Sequence, residues 1–88
     1  MADTGKAGVE TAIAGIVQSM LAERGSSAPL GLDDSLRERG LTSLDMVKLV
    51  LLVEAEFDFM IAETDMVPGN FRSVTAIALI VRKSLGGG

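Results

Sequence analysis

Apolar residues recur at helical spacing over three stretches of this chain, and the polar runs between them hold the helix breakers. In the first stretch Val9, Ile13, Ile16, Val17 and Met20 share a stripe, while Glu10, Gln18 and Glu23 fall off it. That period predicts a helix over about residues 9–23. Gly25, followed by Ser26-Ser27-Ala28-Pro29, is its stop. The second stretch predicts a helix over about residues 43–57. Thr42 is placed as its N-cap and Asp45 follows three residues later, a capping box with Asp in the usual Glu or Gln position. The third stretch, about residues 74–84, has Ile77, Ala78, Ile80 and Val81 on its apolar face, Ser73 as N-cap and Arg82 and Lys83 at its dipole-favoured end. Pro68 suits the first turn of a short helix within about residues 66–71.

The second helix carries more apolar surface than one core needs. At about 100° per residue, Met46, Leu49, Val50, Val53 and Phe57 form one face. Leu44, Val47 and Leu51 form another, bordered by Lys48, Glu54 and Asp58. A helix apolar on two sides is either buried or docks a partner.

The connections are unequal. Residues 25–41 make a long one, with Leu30, Leu32 and Leu36 as the expected pins and one helical turn expected around Asp34-Ser35-Leu36-Arg37-Glu38. Asp33 and Asp34 are expected to lie in a solvated loop or to cap a turn. Phe59-Met60-Ile61 is expected to tuck inward. No period-two run is bounded by a hairpin turn, so strands are not expected. The fold class is all-α in a single domain over residues 1–88, with 1–8 and the Gly86-Gly87-Gly88 tail flexible.

Composition narrows the chemistry. Only three residues are aromatic, all Phe, so the core is aliphatic. The chain has no Cys, His, Tyr or Trp. Thiol chemistry, disulfides and a zinc or haem site drop out, and no metal site is expected. A net charge of −4 argues against nucleic-acid binding and suits a small protein that meets basic partners. No apolar run has transmembrane length and the N-terminus lacks a signal-peptide layout, so a cytoplasmic protein with no membrane association is expected.

One residue stands out. Ser43, in Gly40-Leu41-Thr42-Ser43-Leu44-Asp45, sits where a polar loop becomes the two-faced helix. Without a His to act as base and without a G-x-S-x-G elbow, it is a poor nucleophile, and a serine hydrolase is set aside. It is a good attachment point. Two classes remain: a protein modified at Ser43 by other enzymes, or a helical interaction adaptor with no prosthetic group. The adaptor accounts for the two-faced helix but gives no reason for the setting of Ser43.

Leu36 and Gly40-Leu41 before the serine, Ser43-Leu44-Asp45 opening the helix, Val47 and Leu51 at its exposed spacing, and Glu54-Ala55-Glu56-Phe57-Asp58 closing it resemble the acyl carrier proteins. Pro68, Asn70-Phe71, Ser73-Val74 and Ile77 look like that family's third and fourth helices. The resemblance spans nearly the whole chain. It implies a four-helix bundle with a long first loop and a short third helix, and a 4′-phosphopantetheine arm esterified to Ser43. It implies no catalytic residue. The partners it implies are a phosphopantetheinyl transferase that uses coenzyme A and magnesium, an acyl- or aminoacyl-loading ligase and a downstream acyl-transfer enzyme. They would meet a monomer through Thr42, Leu44, Val47, Lys48, Leu51 and Glu54. Two residues depart from the family pattern: Thr42 stands where Asp usually precedes the serine, and Lys48 where carriers of fatty-acid synthesis often have Glu. Both point to a specialised carrier, with an aminoacyl group as the leading cargo.

Overall fold

The computed structural model describes residues 6–85. Three α-helices carry the fold: α1 Lys6–Glu23, α2 Ser43–Phe57 and α3 Val74–Leu85. Two short 3₁₀ turns, Glu63–Asp65 and Pro68–Phe71, lie between α2 and α3. Among the described residues there is no strand, and no helix is long and apolar enough to cross a membrane. The helix α1 starts earlier than its apolar stripe suggests, so the part of the expected flexible N-terminus from Lys6 to Gly8 is helical. Residues 1–5 and the Gly86–Gly88 tail lie outside the described residues.

The expected short helix at residues 66–71 is present as a 3₁₀ helix over Pro68–Phe71, with Pro68 in its first turn. Pro68 has no N–H to give and Gly69 is a poor helix former, so the segment closes on the tighter Asn70 N–H to Val67 O bond of 3.0 Å. Three α-helices, not four, are therefore present among the described residues.

The apolar stripes meet as the periodicity requires. Ile13, Val17, Leu49, Val53, Val74, Ile77 and Val81 are fully buried in one core. Packing of α3 is chiefly on α1, which also packs on α2. Met46 and Phe57, at the two ends of the expected core face of α2, and Ile16 on α1 are only half-buried against this core. Leu21 completes it and falls outside the stripe read from α1.

Both ends of the long loop are set by backbone geometry. Gly25, at φ 87°, ends α1 with Ser26 N–H donating to Leu21 O at 3.0 Å and Gly25 N–H to Ala22 O at 2.9 Å, a Schellman pair. The same motif recurs at Gly40, φ 111°, where Leu41 N–H reaches Leu36 O at 3.1 Å and Gly40 N–H reaches Arg37 O at 3.0 Å. Between them lies the expected single turn: Arg39 N–H donates to Ser35 O at 3.0 Å, and Ser35 Oγ accepts from Glu38 N–H at 3.2 Å. Positive φ is strained for any side chain, which is why glycine stands at both stops.

Leu36 is buried as expected and Leu30 is half-buried, but Leu32 is exposed and holds the loop through its carbonyl, which accepts Thr75 N–H at 3.0 Å. Leu36 N–H donates to Arg72 O at 2.9 Å. The Arg39 guanidinium reaches Pro29 O at 2.9 Å, Ala28 O at 3.0 Å and Asp34 Oδ2 at 3.0 Å. Asp34 caps a turn, one of its two expected roles: its Oδ2 accepts Gly31 N–H at 2.8 Å, and its own N–H donates to Gly31 O at 3.2 Å. In the connection after α2, Ile61 is buried and Phe59 half-buried, edge-on to Phe57 at 6.5 Å. Met60 points outward, 82% exposed, contrary to its expected inward position. Neighbouring residues of an extended segment face opposite ways, so Ile61 inward sends Met60 outward. Ser73 caps α3 as expected, its Oγ accepting Ala76 N–H at 3.2 Å.

Candidate functional site

The start of α2 is fixed from both sides. Thr42 is extended at its N-cap, and its Oγ1 accepts Asp45 N–H at 3.2 Å while Asp45 Oδ2 accepts Thr42 N–H at 2.8 Å. The capping box expected from the sequence is therefore complete. The Arg24 guanidinium at the end of α1 closes on both Asp45 carboxylate oxygens. Beside it Lys48 Nζ lies 3.5 Å from Glu23 Oε1. Glu23, the last residue of α1, and Arg24 just after it thus pair with the first turns of α2, a link that the apolar periodicity could not announce.

The N–H of Thr42 beside Asp45 holds its carboxyl below the ordinary aspartate range, aided by the Thr42 hydroxyl and Arg24 and opposed by partial desolvation. A lowered folded-state value means that the ionised cap stabilises the fold fully above the ordinary aspartate range. That contribution is lost as pH falls through the lowered value. Thermal melts of wild type and Asp45→Asn should therefore differ at neutral pH, wild type being the more stable, and converge in strong acid. A difference that persisted unchanged to the lowest pH would show that the charge is not what matters.

Ser43 is the first residue of α2 and is exposed. It opens onto a groove of about 570 Å³ between α2 and the second 3₁₀ turn. Val47, Val50 and Leu51 line the α2 wall, Met66, Val67 and Pro68 face them, and Arg37 and Arg72 also line the groove. The second apolar stripe is presented to solvent as expected: Leu44 is 78% exposed, Val47 57% and Leu51 60%. Of the residues singled out from sequence, the groove brings together Ser43, Val47, Leu51 and Glu54. Thr42 and Leu44 flank its serine end, and Lys48 turns toward α1. Glu54 has an internal task as well, since its Oε2 accepts Ile61 N–H at 2.8 Å. The groove's far wall and its two arginines were not read from the sequence. The signal available was Met66-Val67 ahead of Pro68, apolar residues in a segment too short to bury them.

A hydroxyl at this position is reachable, and no His or Cys exists anywhere in the chain to activate it. Among the described residues no group of His, Cys, Asp and Glu side chains is placed to hold a metal ion. An exposed serine at a capped helix start, beside an open groove and an exposed apolar row, is the arrangement expected of a carrier with a covalently attached arm.

Known proteins agree with that class. The family described as phosphopantetheine attachment site matches residues 11–81. Aminoacyl carrier protein 2 of Bradyrhizobium diazoefficiens is 38% identical over 80 residues, which is 91% of this chain and 90% of the relative. Aminoacyl carrier protein 1 of the same organism is 39% identical over 77 residues, 88% of this chain and 86% of the relative. Among solved structures, the chain is similar to one chain of the Bradyrhizobium japonicum glycine:[carrier protein] ligase complexed with glycylated carrier protein. That similarity has a TM-score of 0.69 and 39% identity, over 82% of this chain and 97% of the other. The same ligase complexed with cognate carrier protein and an analogue of glycyl adenylate gives a TM-score of 0.72 at 39% identity, over 85% and 97%.

The chain belongs to the phosphopantetheine attachment family. It is a non-catalytic carrier of acyl or aminoacyl groups, and its covalent cofactor is 4′-phosphopantetheine. The adaptor without a prosthetic group is thereby set aside.

Proposed function

We propose that Ser43 carries the arm and that this is a stand-alone aminoacyl carrier, acting as one domain and as a monomer in the cytoplasm. The observation that supports the attachment point is the exposed Ser43 at the first position of α2, opening onto the groove. Ser43 Oγ attacks the phosphorus of coenzyme A on a phosphopantetheinyl transferase with magnesium. The Oγ–P bond forms, the pyrophosphate P–O bond breaks, adenosine 3′,5′-bisphosphate leaves, and the hydroxyl proton passes to the transferase. Thr42 and Asp45 hold the helix start still, so that the oxygen is presented in one place. The positive end of the α2 dipole favours the anion formed there. The arm supplies the thiol that this Cys-free chain lacks, and cargo rides on it as a thioester.

Leu44, Val47 and Leu51 form the docking row for the transferase, the loading ligase and the downstream acyl-transfer enzyme, with Thr42, Lys48 and Glu54 at its margin. The Lys48–Glu23 pair is exposed on both sides and holds Lys48 only weakly, leaving it free to meet a partner. The two 3₁₀ turns serve as the third helix of the family's four-helix bundle. An amino acid is the cargo that the similarity to aminoacyl carriers favours, with glycine the first to try.

The test is thioester formation on the phosphopantetheine form, read by intact mass with an amino-acid:carrier ligase and a fatty-acyl ligase side by side. Aminoacyl mass should appear with the first and little with the second. Efficient fatty-acyl loading with no aminoacyl product would overturn the cargo assignment and leave the carrier class intact.

A further inference from the structure

The charges that line the groove run against the charge of the chain. The protein carries −4 in total, yet the groove is lined by Arg37, Arg72 and a single carboxylate, Glu54, which is already engaged by Ile61 N–H. Asp33, Glu38, Glu56, Asp58 and Glu63 make no ion pair, so spare carboxylates are present elsewhere on the described surface. Arg24, Arg39, Lys48, Arg82 and Lys83 each take an acidic partner. Among the described residues Arg37 takes none, and the guanidinium of Arg72 reaches only the Gly69 carbonyl, at 3.0 Å.

The segments that carry the two arginines are tied through the backbone. Leu36 N–H donates to Arg72 O at 2.9 Å, which fixes the backbone of Arg72 against the residue next to Arg37. Folding therefore brings two like charges into one groove, where neither forms an ion pair with a carboxylate among the described residues. Such a juxtaposition is unfavourable alone and becomes favourable around a bound anion, because guanidinium donors suit phosphate oxygens. The Ser43 side chain lines the same groove.

We propose that Arg37 and Arg72 bind the phosphodiester of the arm on Ser43, seating its first segment in the groove. The proposal rests on Ser43 being the attachment residue. The covalent link keeps the phosphate at a high effective concentration beside the arginines, so contacts too weak to capture free phosphate suffice. Attraction across this solvent-open site should weaken as salt rises.

Phosphorus NMR of the phosphopantetheine form tests this. The probe is the arm's own phosphodiester, compared in wild type, Arg37→Gln, Arg72→Gln, the double variant and Lys48→Gln. The reference is a short unfolded peptide bearing the same modified serine. Wild type should show a phosphorus shift displaced from the peptide and a broader line. The double variant should lose most of that displacement, each single variant part of it, and Lys48→Gln none. Rising salt should move wild type toward the peptide value. Circular dichroism melts check that each variant is folded, and because Arg37 and Arg72 are exposed all should be.

A phosphorus signal identical in folded wild type and double variant overturns the proposal. If ligase loading nevertheless falls in the double variant, the basic groove serves an acidic partner surface instead. Failure of the attachment reading looks different: wild type would gain no arm, or Ser43→Ala would still gain one, and no phosphorus comparison would arise.

Discussion

Ser43→Ala should give a folded protein that takes up no phosphopantetheine. Incubated with coenzyme A, magnesium and a promiscuous transferase, wild type should gain the mass of one arm and the variant none. The change is all-or-none on the proposed attachment, in which the oxygen removed is the one that would bond to phosphorus. Stability should scarcely move. The side chain is exposed, the capping bonds belong to Thr42 and Asp45, and surface substitutions of this kind stay within about 0.5 kcal/mol. An arm on the Ala variant would transfer the site to another hydroxyl. A variant that failed to fold would show that the serine matters to the helix start in a way its contacts do not reveal.

Leu49→Ala and Leu51→Ala should separate folding from recognition on a single helix. Leu49 is 0% exposed and Leu51 is 60% exposed, two positions apart. Truncating a buried Leu costs about 2–5 kcal/mol, through lost transfer energy and the cavity left behind. In a domain of this size each kcal/mol moves the melting temperature by about 4–8 °C. Leu49→Ala should therefore melt far below wild type, whereas Leu51→Ala should melt close to it. The order reverses for ligase loading measured under conditions where both are folded: Leu51→Ala should raise KM and Leu49→Ala should not. Equal destabilisation by the two would mean that the faces of α2 are misassigned. Leu49 is a better core probe than Phe57, which is only half-buried at the end of the stripe.

The helical stripes were legible because burial along a helix follows its own period. Val9, Ile13 and Val17 on α1 and Ile77, Ala78 and Val81 on α3 are buried as spaced. The exposed row of Leu44, Val47 and Leu51 was legible for the same reason, as an apolar surplus opposite the core face. Local chemistry also carried through, as in the Thr42–Asp45 box and the Ser73 cap, because each needs only near neighbours in sequence. What failed depended on partners far along the chain. Met60 and Ile61 are adjacent and both apolar, and only the docking of their segment decides which of them faces the core. Leu32 is a pin through its carbonyl, not its side chain. Arg24 finds Asp45 across 21 residues, and a charge gives no period from which to infer its partner. The groove needed two segments, α2 and the second 3₁₀ turn, whose juxtaposition no local pattern encodes. The short helix at Pro68–Phe71 was legible from the proline in its first turn, but its 3₁₀ winding was not.

The first loop has one more consequence. Its shape is held from within, by the Arg39 guanidinium gathering the carbonyls of Ala28 and Pro29 and the carboxylate of Asp34. A carrier has to be handled by several enzymes in turn, and each needs a foothold on a very small body. Farther along, the loop leans on the rest of the fold through Leu32 O and Leu36 N–H, but the stretch around Ala28 and Pro29 is braced by a side chain of the loop itself. That bracing uses up one guanidinium, which is turned on the loop's own oxygens instead of toward a partner.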